Sequence, residues 1–556
     1  MSVVPLILIL FAATAGLRAV AERLAVPLPT LLVLGGLALA LFPGLPRLPL
    51  DPDTIFLLFV PPLLFSAALT TSLRDLRRNL RAILLLAVVL VLATIVVVAA
   101  AAHALVPNLS WPMCFVLGAI VSPPDAVAVT AVTRRLRLPR NLLTVLEGES
   151  LVNDATALVS YQIAVAAAAT GAFSLPRAGA QLLMTGAGGL AVGLVAGWCI
   201  GWVRRHMRPI SVVENTVSLL TPFIAYLPAS ALGVSGILSV VATGLYLGRR
   251  GPHVVSAATR LQGAAMWEMV IFLLEGLIFI FIGLQLPQVV QSLDGGSLRP
   301  LVIRSALIGV VMIAFRIAWV FPSAYLPRWL ANKFGGKENY PPPRAVLFLG
   351  WAGIRGGDSL VIALALPLMA ANGMPLAGRN AVIFITFMLI LITLVVQGFT
   401  LAPLIRLLHL HASHEDDAEE FKARTAGLRA GITLLDRLAA QRAVEPALAA
   451  ELKQRAERRL QNLHAGQTGE EDVAGNEGFS SYAPLRMALL AAERETIVRM
   501  RDDNEISDSV MRRLQSELDH EEMLLRGREA TAATHQHRRL LRSRDAPARP
   551  KRPPTQ

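Results

Sequence analysis

Thirteen apolar stretches joined by short polar turns fill the first 410 residues of this chain, and few folds accommodate that pattern. A helical run of about 17 to 25 apolar residues matches the hydrocarbon thickness of a bilayer. Backbone polar groups find no water there, so each run must satisfy its own hydrogen bonds as a helix. The predicted spans are 3–20, 29–42, 54–69, 82–106, 111–132, 142–169, 178–203, 212–226, 233–247, 264–286, 300–326, 345–369 and 380–408. A mean hydropathy of +0.56 with 16% charged residues excludes a soluble globular domain, and no enzymatic activity is expected.

The net charge of +13 would suit nucleic acid if the basic residues formed one patch. They do not: residues 1–410 hold 28 Lys/Arg against 14 Asp/Glu, and the rest 24 against 25. The excess reads as membrane topology, and no nucleic-acid partner is expected. With the polar tail in the cytoplasm, about twenty basic residues fall in inside loops, including Arg74, Arg134, Arg204, Arg249 and Arg328. The outside loops hold four: Arg47, Arg177, Arg299 and Arg379. The expectation is a multi-pass protein of a bacterial cytoplasmic (inner) membrane, amino terminus outside and carboxyl terminus inside. Arg18 and Arg23 follow the first apolar run rather than precede it, so that run reads as an uncleaved span. Cys114 and Cys199 both fall in apolar runs and predict no disulfide framework.

Two spans are interrupted at matching places. The fifth contains Ser122-Pro123-Pro124-Asp125 and the twelfth Gly353-Ile354-Arg355-Gly356-Gly357-Asp358, seven spans apart. Recurring broken helices are the sequence mark of a transporter built from internal repeats, and an odd offset makes the repeats inverted. The predicted fold is therefore all-α and polytopic, about thirteen transmembrane helices in two inverted six-helix repeats with discontinuous helices. Residues 411–534 form a cytoplasmic helical tail, with helical periodicity over 421–463 and 484–527 and a polar linker between. Residues 535–556 read as a basic disordered end.

Charged groups at the bilayer centre cost about 2.5 to 3.5 kcal/mol each on insertion scales, so each needs a reason. The sixth span places Glu147, Glu149, Asn153 and Asp154 within about two turns. Asp154 is the predicted exchange group. Neutralised by a proton or a monovalent cation, its carboxylate can pass a low-dielectric barrier; bare, it cannot. Exchange becomes obligatory when proton and cation compete for the same group. Asn153 can orient that carboxylate and help line the site without adding a charge. Glu147 lies nearer the cytoplasmic end, where water would excuse it.

Arg355 is the only basic residue in the middle of the twelfth span, and a guanidinium keeps its charge. Glu149 is its expected partner, an ion pair joining the two halves; Asp358, on the same helix face, is the alternative. Asp125 follows the proline break, where half-helix ends present dipoles and unpaired carbonyls to a cation. It serves either as a ligand or as the cap of the second half-helix. Glu268 and Glu275 of the tenth span either line the pathway or pair with Arg304 or Arg316, a structural role being favoured. Gly193, Gly197 and Gly201 predict close helix packing.

Four stretches resemble those of the bacterial branch of the monovalent cation:proton antiporter-1 family, the NhaP-like sodium/proton exchangers. They are Phe59-Val60-Pro61-Pro62-Leu63-Leu64-Phe65, Ser122 through Val127, Glu149-Ser150-Leu151-Val152-Asn153-Asp154 and Trp351 through Gly356, in family order across residues 1–410. The resemblance implies a thirteen-span inverted-repeat fold, a homodimer, electroneutral exchange of Na+, K+ or Li+ for H+ at Asp154, and the Glu149–Arg355 pair. No cofactor is implied, and no metal beyond the transported cation. Ser66 stands where some relatives carry an acid. Pro124 replaces a common threonine, which leaves Ser122 as a weaker substitute ligand. Asp358 stands where relatives usually have an apolar or small residue. Two other readings compete: a cation channel or uncoupled potassium transporter, and a membrane sensor signalling through the tail. A channel needs neither a titratable carboxylate nor helices that rock between faces.

Overall fold

The computed structural model describes residues 3–24, 27–41, 52–133, 136, 138–170, 174–207, 210–291, 298–369, 375–410, 415–465 and 479–544. These divide into two compact units, residues 1–254 with 263–413, and residues 255–262 with 414–556. Among the described residues there is no β-sheet, and one isolated bridge pairs Met369 with Pro375.

In the first unit the helices are α1 Val3–Leu24, α2 Leu28–Ala40, α3 Pro52–Thr70, α4 Leu73–Arg78, α5 Leu80–Leu84, α6 Val91–Leu105, α7 Trp111–Val121, α8 Ala126–Thr133 and α9 Arg140–Thr170. There follow α10 Leu175–His206, α11 Ser211–Ala231, α12 Gly236–Val254, α13 Ala257–Gln291, α14 Leu298–Lys333, α15 Pro343–Trp351, α16 Gly357–Leu364 and α17 Arg379–Leu407. A wider π-type turn over Leu85–Leu90 joins α5 to α6. A helix, or a pair of half-helices, occupies each of the thirteen predicted stretches. By length and composition seven of the described helices are apolar enough to cross a membrane, and Leu28–Ala40 and Phe56–Thr70 are shorter apolar helices. Large apolar side chains cover their outer faces, as with Leu183, Met184, Val195 and Trp198 on α10. This is the surface of a multi-pass membrane protein.

Packing follows side-chain size. α10 lies against α12, where Gly193 lets its backbone meet the Ser239 carbonyl and the Thr243 hydroxyl donates to Gly193 O at 2.8 Å. The buried core runs through α6, α7, α9, α15, α16 and α17 around Val98, Cys114, Leu117, Phe348, Phe384 and Leu389.

The second unit holds α18 Glu415–Ala440, α19 Pro446–His464, α20 Phe479–Asp502 and α21 Asp508–Arg544. Apolar side chains at three and four spacing, among them Leu435, Leu452, Leu489, Ile497, Val510 and Leu514, form its two small cores. Arginine–carboxylate pairs lace it: Arg486 holds Glu493 and Glu521, and Arg494 holds Asp519 and Glu522. Arg260, at the start of α13, belongs to this unit and grips both oxygens of Asp519 at 2.7 and 2.5 Å. α21 continues to Arg544, across the first part of the stretch expected to be disordered from His535. The rest of that end, residues 545–556, and most of the expected linker, residues 466–478, lie outside the described residues.

Candidate functional site

Two helix breaks cross inside the first unit. At Pro123 and Pro124, which have no backbone N–H to bond the preceding turn, α7 gives way to α8, although the Pro61-Pro62 pair lies within the unbroken α3. Gly353, Gly356 and Gly357 weaken the continuation of α15 into α16 by a different route, their greater backbone freedom. Buried breaks strand carbonyls and amides that need partners, and the two breaks supply many of them to each other. Asp125 N donates to Ile354 O at 2.8 Å, a direct backbone bond between the crossing chains. Arg355 Nη1 donates to Ser122 O at 2.5 Å, and Arg355 N to the Thr393 hydroxyl at 3.1 Å. The crossing is so close that a Cβ at Gly356 would overlap the Asp125 carboxylate.

α9 runs unbroken past this crossing and presents its polar turns to it. Asn153, fully buried, donates from Nδ2 to Pro124 O at 2.9 Å. A carbonyl can only accept, which fixes the amide with its nitrogen toward Pro124. Ser150 Oγ accepts from Ala126 N at 3.4 Å. Asp125 Oδ1 accepts from Val127 N at 2.8 Å, so Asp125 caps α8, and its carboxylate remains in the site.

Between α3, α8, α9, α13 and α16 lies a cavity of about 140 Å³. Asp125, Glu147, Asp154, Glu275 and Asp358 all line it, with Ser150 and Thr130 among the neutral groups and Leu64, Ile278 and Phe279 among the apolar ones. All five acids are half-buried. Such a space is large enough for a desolvated monovalent cation with a few waters, for which carboxylate oxygens are suitable ligands.

The predicted site residues therefore separate. Asp154 and Asp125 line the cavity, joined by Asp358 and Glu275. Glu147, expected in water near the helix end, also lines it. Asn153, Ser122 and Ser66 do not. Asn153 holds the break from behind, the Ser122 hydroxyl bonds Ala119 O at 3.2 Å, and Ser66 is buried on α3 with its carbonyl accepting from Thr70. On α13, Glu268 is exposed.

The Glu149–Arg355 pair is not what the structure shows. Glu149 is bound in bidentate fashion by Arg316 of α14, with Nη1–Oε1 2.6 Å and Nη2–Oε2 2.9 Å, at 1% and 3% side-chain exposure. Arg316 Nη2 also reaches Leu349 O and Ala352 O, at 3.3 and 3.4 Å, the carbonyl end of α15. Two parallel bonds to one carboxylate satisfy a guanidinium better than a single oblique contact, and Arg355 is committed to Ser122 O. Arg316, expected as a candidate partner of Glu268 or Glu275, meets Glu149 instead, a pairing the sequence did not reveal.

Comparisons with known proteins agree with this architecture. Residues 7–407 match the family described as sodium/hydrogen exchanger, transmembrane. An uncharacterised Na(+)/H(+) exchanger of Mycobacterium bovis is 35% identical over 504 residues, covering 89% of this chain and 91% of that protein. The sodium, potassium, lithium and rubidium/H(+) antiporter of Bacillus subtilis is 33% identical over 390 residues, 68% of this chain and 57% of that one. The solved sodium proton antiporter MjNhaP1 of Methanocaldococcus jannaschii superposes with a TM-score of 0.56 at 20% identity, covering 73% of this chain and 98% of its own.

Proposed function

This chain belongs to the transmembrane sodium/hydrogen exchanger family, and from that premise we propose that it exchanges Na+, and also K+ or Li+, for H+ at Asp154. The observation that carries the reading is the carboxylate-lined cavity at the crossing of two broken helices. A proton and a cation cannot neutralise one carboxylate together, so occupancy by either excludes the other. The neutralised site can be carried past an apolar barrier and the bare one cannot. One ion moves each way per cycle, and exchange is electroneutral. Asp154 takes the traded charge, Asp125 and Asp358 complete the ligand shell, and Asn153 fixes the break that positions them. The relative from Bacillus subtilis is a sodium, potassium, lithium and rubidium/H(+) antiporter, which supports a site that ranks alkali ions weakly.

In this reading the thirteen stretches all cross the bilayer as two inverted sets of six around a linking seventh. The basic loops face the cytoplasm with the tail, the amino terminus lies outside, and the working unit is a homodimer in a bacterial inner membrane. Proteoliposomes loaded with a pH dye test the core of it. Adding sodium or potassium outside should drive proton movement that is insensitive to a clamped membrane voltage. Asp154→Asn should abolish it while the purified variant keeps wild-type helicity and melting. Vesicles that conduct cation current without moving protons would favour a channel, and full turnover by Asp154→Asn would remove Asp154 from the mechanism.

A further inference from the structure

A second cavity of the first unit lies away from the carboxylates, at the ends of the membrane helices. It measures about 500 Å³ and opens between α5, α9, α14, α15 and the end of α17. Its guanidinium lining comprises Arg78, Arg328 and Arg344, with His409 beside them, and no acid lines it among the described residues. The acids near by are engaged elsewhere, Asp75 with Arg140 and Glu338 with Arg81. The inner wall is the opposite in character, built from side chains such as Leu86, Val320 and Leu349. One space thus joins a cationic mouth to an apolar wall.

Its position is that of the membrane–water boundary. Beside it Trp329, Tyr340 and Phe334 stand 49, 49 and 82% exposed, with the Lys333 ammonium over the Trp329 ring at 5.0 Å. Exposed aromatics with basic residues mark the headgroup level of a bilayer. The mouth is also preformed. Asn332 clasps the backbone of Glu338 from both sides, at 3.0 and 2.7 Å, and the Tyr325 hydroxyl donates to Pro341 O at 2.9 Å.

We propose that this cavity binds one anionic phospholipid, its phosphate among Arg78, Arg328 and Arg344 and its glycerol and upper acyl chain along the apolar wall. Charge selects the headgroup, because three guanidinia without a carboxylate leave a positive site that a phosphodiester matches. The apolar wall selects a lipid over a free anion. Arg78 and Arg344 are exposed side chains, so replacing both leaves the fold intact.

The test uses delipidated full-length protein in neutral detergent, titrated with phosphatidylglycerol, phosphatidylcholine or inorganic phosphate, with bound lipid counted by native mass spectrometry and melting followed in parallel. Phosphatidylglycerol should bind saturably at one site and raise the melting temperature, while phosphatidylcholine and phosphate do neither. Arg78→Ala/Arg344→Ala should weaken phosphatidylglycerol at least about tenfold, near 1.4 kcal/mol, with unchanged melting in detergent alone. Equal binding of phosphatidylcholine, equal stabilisation by inorganic phosphate, or undiminished phosphatidylglycerol binding by the double variant would each overturn the assignment.

Discussion

Glu149→Gln tests the charge arrangement of the interior. The substitution removes the acid that holds both terminal nitrogens of Arg316, leaving that guanidinium buried with the Leu349 and Ala352 carbonyls as its remaining bonded partners. Breaking a buried pair from one side costs about 3 to 5 kcal/mol, because the surviving charge is uncompensated. At about 1.4 kcal/mol per decade that is two to nearly four orders of magnitude in folding equilibrium. Arg316→Met should cost a similar amount. The double variant Glu149→Gln/Arg316→Met should regain most of it, since no buried charge is then left uncompensated. Glu149→Gln/Arg355→Met should not recover, because Arg355 serves Ser122 O instead. The assay is unfolding in mixed micelles titrated with SDS, read by helicity and analysed as two double-mutant cycles. A coupling of Glu149 to Arg355 larger than its coupling to Arg316 would refute the assignment.

Gly356→Ala should slow exchange at least about tenfold and lower the melting temperature, since the new methyl overlaps the Asp125 carboxylate and overpacking costs about 1 to 3 kcal/mol. Gly251→Ala, where nothing lies within 4 Å, is the control, and wild-type proton flux from Gly356→Ala proteoliposomes would contradict the close crossing. In the tail, burial alone would raise the Glu522 carboxyl, but hydrogen bonds and charge from Arg494 and Arg526 outweigh it and hold the group below its ordinary range. A lowered folded value means the stabilisation is complete above the unfolded value, about 4.3, and is lost as pH falls through the folded one. Glu522→Gln should therefore melt earlier than wild type at pH 7 and approach it in acid; a gap constant from pH 7 to 3 would show that charge is not the cause.

The sequence carried the parts of this architecture that depend on residue type, and fell short where three-dimensional neighbourhood decides. Apolar runs and their lengths place helices because a bilayer allows little else. Paired prolines at 123–124 and the glycines at 353, 356 and 357 mark the breaks because both residue types weaken a helix, although the Pro61-Pro62 pair lies within the unbroken α3. The partner of Glu149 was a different matter. Two arginines on separate spans were available, and no spacing within one helix tells which guanidinium reaches a carboxylate on another. Asn153 was identifiable as a site amide, yet its direction, toward Pro124 O rather than into the cavity, depends on where the fifth span breaks. The recruitment of residues 255–262 to the tail unit rests on Arg260 and Asp519, which are 259 positions apart and bear no local signal.

The charges left over by these pairings bear on the proposal that Asp154 is the exchange group. Breaking two helices creates four ends, each with about half a charge of dipole, positive at amide ends and negative at carbonyl ends. The carbonyl end of α7 receives Arg355, and that of α15 receives Arg316. The amide end of α8 is capped by Asp125, and that of α16 carries Asp358 in its first turn. Each half-helix thus has a formal charge of the complementary sign at its broken end. Glu149 is consumed by Arg316. Asp154 alone among Asp125, Asp154 and Asp358 sits in the middle of an unbroken helix, with no end dipole of α9 near it and no hydrogen bond to its carboxylate among the described residues. Of these three charges it is the one that no helix end and no hydrogen bond offsets, and in the proposed exchange a proton or a cation from either side of the membrane supplies what the fold withholds.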